Sequence, residues 1–575
     1  MTVKALRNTV LIALMLWVCA PGAALAQSAI AGIVKDTSGA VLPGVNVEAA
    51  SPALIEGTRS VVTDAFGQYK IVDLRPGVYT VTFSLQGFST VRREGIELST
   101  NFTAPVNADL QVGALQETVT VSGSSPMVDV QQAVTQQVLP QALLDAVPTG
   151  GRNIQSVGAV LVGVTQSAPD VGGAAGMQQN YLAAHGTDPR DVTIMVDGIR
   201  LNGIEGDGAI QQYFNEGMFS EMSYQTGGMA ADTAGGGVRL NMIPKDGGNT
   251  FRGDVFFSAT GHSLQADAFP ADVAALGLKS GNYMSAMHDI NISAGGPLIA
   301  SKLWFFGSFR HWGVDQSVAQ SFAGLPNAPE LTSFTPDLSN PVIDTNTIKS
   351  FMGRVTYQAS PKHKFSYYLD RIIKFRGNEQ NSPTGTSPVV WAADTFSTRE
   401  PKIYYMTEAK YTGTWSSKLL FEAGLGINNE SYTTGELQPS LEQCLGGGTC
   451  APAPRVDLGT NQFWGGPAGP YYFRSPIRDT LTSSLSYITG SHAFKLGMEL
   501  SHGLNNIQQA YQNSNINFVQ RYQNGVPNSV SIVNTPIDEH DRSNELGVYA
   551  QDTWTFKRMT ITPGLRWEYF SAKYL

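Results

Sequence analysis

The sequence predicts a mostly β chain, and three observations carry that expectation. Only 15% of the 575 residues are charged, while 10% are aromatic, 60 are glycine and the mean hydropathy is −0.10; an ordinary soluble domain has roughly 25% charged residues. The first hundred or so residues run as short apolar alternations separated by turn pairs. Beyond about residue 251, long amphipathic strands are joined by links that are short and long in turn, the pattern of a membrane β-barrel. The composition is too apolar and aromatic for a disordered chain. No stretch of ~18 apolar residues after residue 26 could cross a membrane as a helix, which excludes a helical membrane protein. The net charge is −9, from 38 Lys+Arg and 47 Asp+Glu, without a basic patch, so no nucleic-acid partner is expected.

Residues 1–26 read as a secretory signal peptide: Lys4 and Arg7 give the charged start, Val10–Val18 the apolar core, and Ala24-Leu25-Ala26 the small-x-small site for cleavage between Ala26 and Gln27. Pro21-Gly22 ends the run too early for a membrane anchor, and Trp17 and Val18 are too bulky to precede a lipidated Cys19. Secretion leads to an oxidising compartment, where Cys444 and Cys450, separated by a flexible Leu-Gly-Gly-Gly-Thr, can pair as a loop staple. The competing reading, a thiol active site, lacks a histidine within twenty residues on either side.

Residues 27–112 predict a small β-sandwich. Ile30–Val34 leads into the turn Asp36-Thr-Ser-Gly39, Pro43-Gly44 precedes the alternating Val45–Ala49, and Gly67–Ile71, Pro76-Gly77 and Val78–Phe83 repeat the grammar. Gly32-Ile-Val-x-Asp36-x-x-Gly39, Leu42-Pro-Gly-Val-x-Val47, Thr63-Asp-x-x-Gly67-x-Tyr69, Leu74-x-Pro-Gly-x-Tyr79-x-Val81 and Gly87-Phe88 resemble a carboxypeptidase-regulatory-like domain. That resemblance implies a transthyretin-like, carbohydrate-binding-like fold and a structural or recognition role, not peptidase activity. The zone has no histidine and so no zinc pair. Asp36-Thr-Ser-Gly39 reads as a tight turn rather than an aspartic-protease loop, because no second acid stands near it to share a proton.

Residues 123–250 are rich in Gly, Ala, Gln and Val, with a helix expected at Gln137–Val147. Val192–Val196, a turn at Asp197-Gly198 and Ile199–Leu201 predict a hairpin. Phe219–Tyr224 reads as another strand, and Gly235-Gly236-Gly237 precedes the strand Val238–Ile243. Neither a P-loop string nor a strand-glycine-helix fingerprint is present, so nucleotide binding is not expected. The order of these elements, with Val192–Asn202 and Phe219–Lys245, resembles the plug of a TonB-dependent outer-membrane receptor, an α/β domain; Asp197, Gly198 and Gly235–Gly237 carry the match. Ser223–Thr226 departs from the usual basic residue and Gly-Pro, which points to a divergent branch like the Oar-like receptors. Within the linker 113–122, Glu117, Thr118, Val119, Thr120 and Val121 resemble a TonB box, a segment able to add to a partner's sheet edge. The alternative reading is the first strand of the plug.

Residues 251–575 predict about eleven strands. Phe351–Gln358 alternates Phe351, Gly353, Val355 and Tyr357 toward lipid with Met352, Arg354, Thr356 and Gln358 toward the lumen. Leu419–Asn428 sets Leu419, Phe421, Ala423, Leu425 and Ile427 opposite Glu422. Met559–Tyr569 is expected as one strand. Long outer loops are placed at 313–347, 429–477 and 503–543, and Trp304, Trp312, Trp554, Trp567 and Tyr569 in an interfacial belt. The links are too unequal for propeller blades. Resembled receptors close with twenty-two strands, so these would form about half of an antiparallel barrel, and the chain is expected to be a fragment.

The resemblance implies an outer-membrane transporter of a Gram-negative bacterium, its N-terminal domain in the periplasm. It would import an unknown ligand, a siderophore, oligosaccharide or peptide, powered by TonB and its inner-membrane complex. No catalytic residue, metal site or cofactor is expected. The alternatives are an adhesive surface protein that uses the carbohydrate-binding-like domain, and a carboxypeptidase-related enzyme.

Overall fold

Turn chemistry cuts the start of the chain into short strands. Asp36 accepts hydrogen bonds from the N–H groups of Ser38 and Ala40, and Asp64 does the same for Phe66 and Gln68, local bonds that favour a turn over a continuing strand. The computed structural model describes residues 28–54, 57–98, 103–113, 118–122, 135–146, 157–158, 161–166, 182–205, 213–266, 269–275, 277–325, 333–379, 390–416, 418–435, 453–466, 471–489, 492–510, 518–532, 536–556 and 559–574. The expected cleavage site Ala26–Gln27, the cysteines Cys444 and Cys450, and Glu117 fall outside them.

The N-terminal domain has two sheets. β1 (Ser28–Asp36), β2 (Asn46–Ala50), β3 (Thr58–Val62), β4 (Gln68–Leu74), β5 (Gly77–Ser84), β6 (Thr90–Leu98), β7 (Thr103–Pro105) and β8 (Ala108–Leu110) are followed by β9 (Thr118–Ser122). One sheet runs β4-β1-β7 with β8 also on β1, and the other runs β3-β2-β5-β6-β9. Ile30, Val34, Val47, Ile71, Val81 and Phe83 meet between them in one buried cluster.

A second body follows. It comprises β10 (Thr135–Pro140), the short helix α1 (Gln141–Ala146), β11 (Val164–Gln166), β12 (Leu182–Ala184), β13 (Thr193–Val196), β14 (Ile199–Arg200), β15 (Phe219–Gly227) and β16 (Arg239–Pro244). Its five-stranded inner sheet has the order β10-β15-β16-β13-β14, with β11 and β12 paired separately. The helix expected at Gln137–Val147 is shorter: Gln137–Pro140 is strand, paired antiparallel with β15, and Gln141 begins the helix directly after Pro140. Tertiary pairing overrides local propensity here.

The wall is built from β17 (Arg252–Gly261), the short helix α2 (Ala271–Ala275), β18 (Met284–Ile299), β19 (Leu303–Gly324), β20 (Pro336–Ser360), β21 (His363–Glu379), β22 (Val390–Ala392), β23 (Ser397–Ser416), β24 (Leu419–Thr434), β25 (Arg455–Asp457), β26 (Gln462–Trp464), β27 (Tyr471–Thr489), β28 (His492–Ala510), β29 (Phe518–Gln523), β30 (Val526–Ile532), β31 (Ile537–Phe556), β32 (Met559–Ile561) and β33 (Gly564–Tyr574). Eleven of these strands have ten or more residues, and they pair antiparallel in sequence order from β17 to β33. Among the described residues no pairing joins β17 to β33. Met559–Tyr569 is not one strand: Pro563 separates β32 from β33, although both pair with β31. In β20 Phe351, Val355 and Tyr357 are exposed on the outer face while Met352, Arg354 and Thr356 are buried inward, the alternation a barrel strand requires.

Two expectations about the wall are corrected. Trp304 and Trp312 are buried, not in an interfacial belt: Trp304 donates its indole N–H to Asn249, and the Arg310 guanidinium stacks 3.6 Å from the Trp312 ring centroid. β19 is apolar on both faces at Leu303–Phe306, so its sequence does not say which residues face out. Trp554, Trp567 and Tyr569 are exposed. The stretches 313–347, 429–477 and 503–543 are not simple loops either. The wall strands continue far into them, and β22, β25, β26, β29 and β30 add an outer layer through β19–β22, β22–β26, β25–β26, β25–β29 and β29–β30 pairs. Trp391, Phe396, Val456, Phe463 and Val519 give that layer a core of its own.

Candidate functional site

The inner sheet packs against the inward face of the wall. Its apolar core extends outward onto Phe306, Met352, Tyr368 and Met406 of wall strands, but charged and hydrogen-bonded contacts determine how it is seated. The hairpin β13–β14 turns through Asp197 (φ 48) and Gly198 (φ 87), two successive left-handed residues that match the twist of a tight hairpin. Asp197 accepts from Arg354 at 2.7 Å and lies 3.6 Å from Lys410. Burial alone would raise the Asp197 carboxyl, but Lys410 and Arg354 hold it far below the usual carboxylate range, so it is ionised. Arg354 also reaches Asp246 at 2.9 Å, and Lys410 reaches Glu422 at 3.4 Å.

A second cluster pins the other side of the same hairpin. Arg200 donates to Glu499 at 2.8 Å and to Glu545, and Lys495 pairs with Asp232. Wall side chains also bond the sheet's main chain: Arg478 donates to the Asn202 carbonyl and Asn428 to the Leu201 carbonyl, each at 2.7 Å. Arg190, Arg200, Gly235, Glu499, Glu545 and Arg566 line a cavity of about 410 Å³ between sheet and wall. Such contacts can be exchanged for water at modest net cost, unlike a sealed apolar core.

The three expected glycines differ. Gly235 and Gly236 have open space around them, but a Cβ on Gly237 (φ 74) would lie 2.7 Å from the Asp191 carbonyl oxygen. Only Gly237 is held by close backbone approach.

The N-terminal domain touches the wall near its short turns. Asp73 pairs with Arg59 of its own domain and with Lys364 of β21, each at 3.0 Å, and Arg75 pairs with Asp246. Burial pushes the Asp73 carboxyl up, but Lys364 and Arg59 outweigh it and hold it at about 2. An unfolded aspartate titrates near 3.9, so the two pairings together contribute fully above about pH 4 and are lost as pH falls through 2, about 2.5 kcal/mol relative to the unfolded chain, of which the Lys364 share holds the domain to the wall. Small-angle scattering of detergent-solubilised protein should therefore show the N-terminal domain swinging away on acidification across that window. An Asp73→Asn variant should lack the step. The same step in both proteins would rule out Asp73 as its source.

Thr118–Ser122 is extended, but it does not begin the inner sheet. It lies parallel to β6, with Thr90 opposite Thr118 and Arg92 opposite Thr120. Sequence reasoning missed the partners of Asp197, because Arg354 is 157 positions away. Its place on the inward face of β20 was the one available signal. No group of three or more potential metal ligands occurs among the described residues.

Residues 314–574 match the family model of the outer membrane beta barrel domain. That stretch of the chain is similar to an outer-membrane barrel domain. Residues 29–111 match the carboxypeptidase regulatory-like domain. It is a homologue of the TonB-dependent transporter Oar of Myxococcus xanthus, 26% identical over 628 aligned positions that cover 95% of this chain and 58% of the relative. The chain thus spans little more than half the length of that relative. Among solved structures, its fold is similar to that of the outer membrane transporter YddB of Escherichia coli (TM-score 0.55, 10% identity, 76% of this chain and 57% of the other). It is also similar to that of FpvA of P. aeruginosa bound to pyoverdines (TM-score 0.50, 13% identity, 77% and 52%).

Proposed function

We propose that the protein imports a ligand actively across the outer membrane, energised by TonB and its inner-membrane complex, with no covalent chemistry of its own. The observation that carries this reading is the inner sheet packed against a barrel wall and held there by ion pairs and hydrogen bonds as well as by apolar contacts. That arrangement can close a pore and still be displaced. Residues 123–250 are then the plug, Glu117–Val121 the TonB box, and the wall part of a larger, twenty-two-stranded barrel. The ligand class is a siderophore, oligosaccharide or peptide, gripped by the outer layer. Cleavage after Ala26 and a Cys444–Cys450 staple complete the reading of a secreted chain.

The test is cross-linking in cells between single cysteines placed at Thr118, Val119 or Thr120 and cysteines in the periplasmic domain of TonB. At least one position should give a disulfide-linked product, and deleting 117–121 should remove cross-linking from cysteines just beyond the segment. No product from any position would sink the proposal.

A further inference from the structure

Arg75 stands at the corner between β4 and β5 of the N-terminal domain, yet its ionic partner is Asp246, two residues beyond the last strand of the inner sheet. Asp246 also accepts from Arg354 at 2.9 Å and from the Thr356 hydroxyl at 2.6 Å. Arg354 in turn holds Asp197 at the tip of the hairpin, and Lys410 joins Asp197 to Glu422. This string of ion pairs contains three cations, Arg75, Arg354 and Lys410, and three carboxylates, Asp197, Asp246 and Glu422. All but Arg75 belong to the inner sheet's exit segment, its hairpin or the wall. The side chains of Arg354, Asp246 and Glu422 are nearly inaccessible to solvent. A carboxylate in such surroundings is tolerated only while its charge is matched.

We infer that docking of the N-terminal domain and seating of the inner sheet are a single linked equilibrium, with Arg75 as the positioning residue that joins them. When the domain leaves, Arg75 leaves with it, and Asp246 loses one of its two ion pairs. Arg354 is then drawn toward Asp246 and shares Asp197 less fully with Lys410, so the hairpin tip loses part of its hold. By thermodynamic reciprocity, freeing Asp197 must loosen the domain by the same factor. A displacement of the hairpin within the barrel would be felt at the short-turn face as a change in the domain's position, and a partner that gripped the domain would alter the hairpin's seat. Lys364 with Asp73 supplies a second ionic contact on the same domain face, which keeps the domain close enough for Arg75 to return.

Hydrogen exchange of the full-length protein in detergent tests this without TonB or a ligand, so the outcome is independent of the transport reading. Arg75→Gln should speed exchange at residues 193–200 at least tenfold, and Arg75→Lys should recover most of the protection. Asp197→Asn should in turn speed exchange at residues 72–77, which reach Asp197 through Arg75, Asp246 and Arg354. Exchange at 193–200 that stays at the wild-type rate while 72–77 loosens would overturn the coupling. Should Arg75→Gln unfold the N-terminal domain, as its β1–β5 amides would report, the Asp197→Asn arm decides alone: unchanged protection at 72–77 is then the refuting result.

Discussion

Arg354→Ala should destabilise the seated inner sheet by about 3–5 kcal/mol, the range for removing one partner from a buried ion pair. The side chain is almost fully buried, and both Asp197 and Asp246 depend on it. Alanine leaves the two buried carboxylates with only Arg75 and Lys410 as ionic partners among the described residues. Protease sensitivity of the segment around 197–202, followed against urea in detergent-solubilised protein, measures the loss. Arg354→Lys keeps the charge but cannot fork between two carboxylates, and it should recover only part of the stability. A loss below about 1 kcal/mol, typical of an exposed pair, would mean that the cluster is solvated and does not hold the sheet.

The second large effect is steric. Gly247 follows Asp246 where the chain passes from the inner sheet to the wall. A Cβ there would lie 2.1 Å from the Phe305 carbonyl oxygen and 2.6 Å from that of Gly296. Both obstacles are main chain and cannot rotate aside, so Gly247→Ala should cost at least about 3 kcal/mol, at the upper end for overpacking. Its neighbour Gly248 has open space but a φ of 65, so Gly248→Ala should cost only about 1–2 kcal/mol through backbone strain. Comparing the urea midpoints of the two refolded variants separates these causes, and equal midpoints would contradict the steric account.

What could be read from the sequence was local. The Asp197-Gly198 turn follows from two residues that tolerate left-handed backbone, and the inward placement of Arg354 and Glu422 follows from strict alternation in β20 and β24. Thr118–Val121 was legible as extended for the same reason. What escaped was decided by distant pairing. Trp304 and Trp312 sit on a strand that is apolar on both faces, where the period-2 signal vanishes. The outer layer is made of three- to seven-residue strands; β25–β26 and β29–β30 are local hairpins, but the β19–β22, β22–β26 and β25–β29 pairs that assemble the layer join segments too far apart for one window of sequence. Asp197 and Arg354 each look like ordinary surface charges until the fold brings them together. Gln137–Pro140 reads locally as helix and takes its strand conformation from pairing with β15.

The parallel ladder between β6 and β9 has one more consequence. Thr118–Ser122 lies beyond residue 111, where the match to the regulatory-like domain stops, yet it completes the order β3-β2-β5-β6-β9. Without it the backbone donors and acceptors along β6 would be bare, and a bare sheet edge is a template for pairing with any other extended chain. The short segment between two domains therefore also keeps a sheet from aggregating. Drawing that segment away, as the proposed transport requires, would uncover an adhesive edge, and its return would hide that edge again.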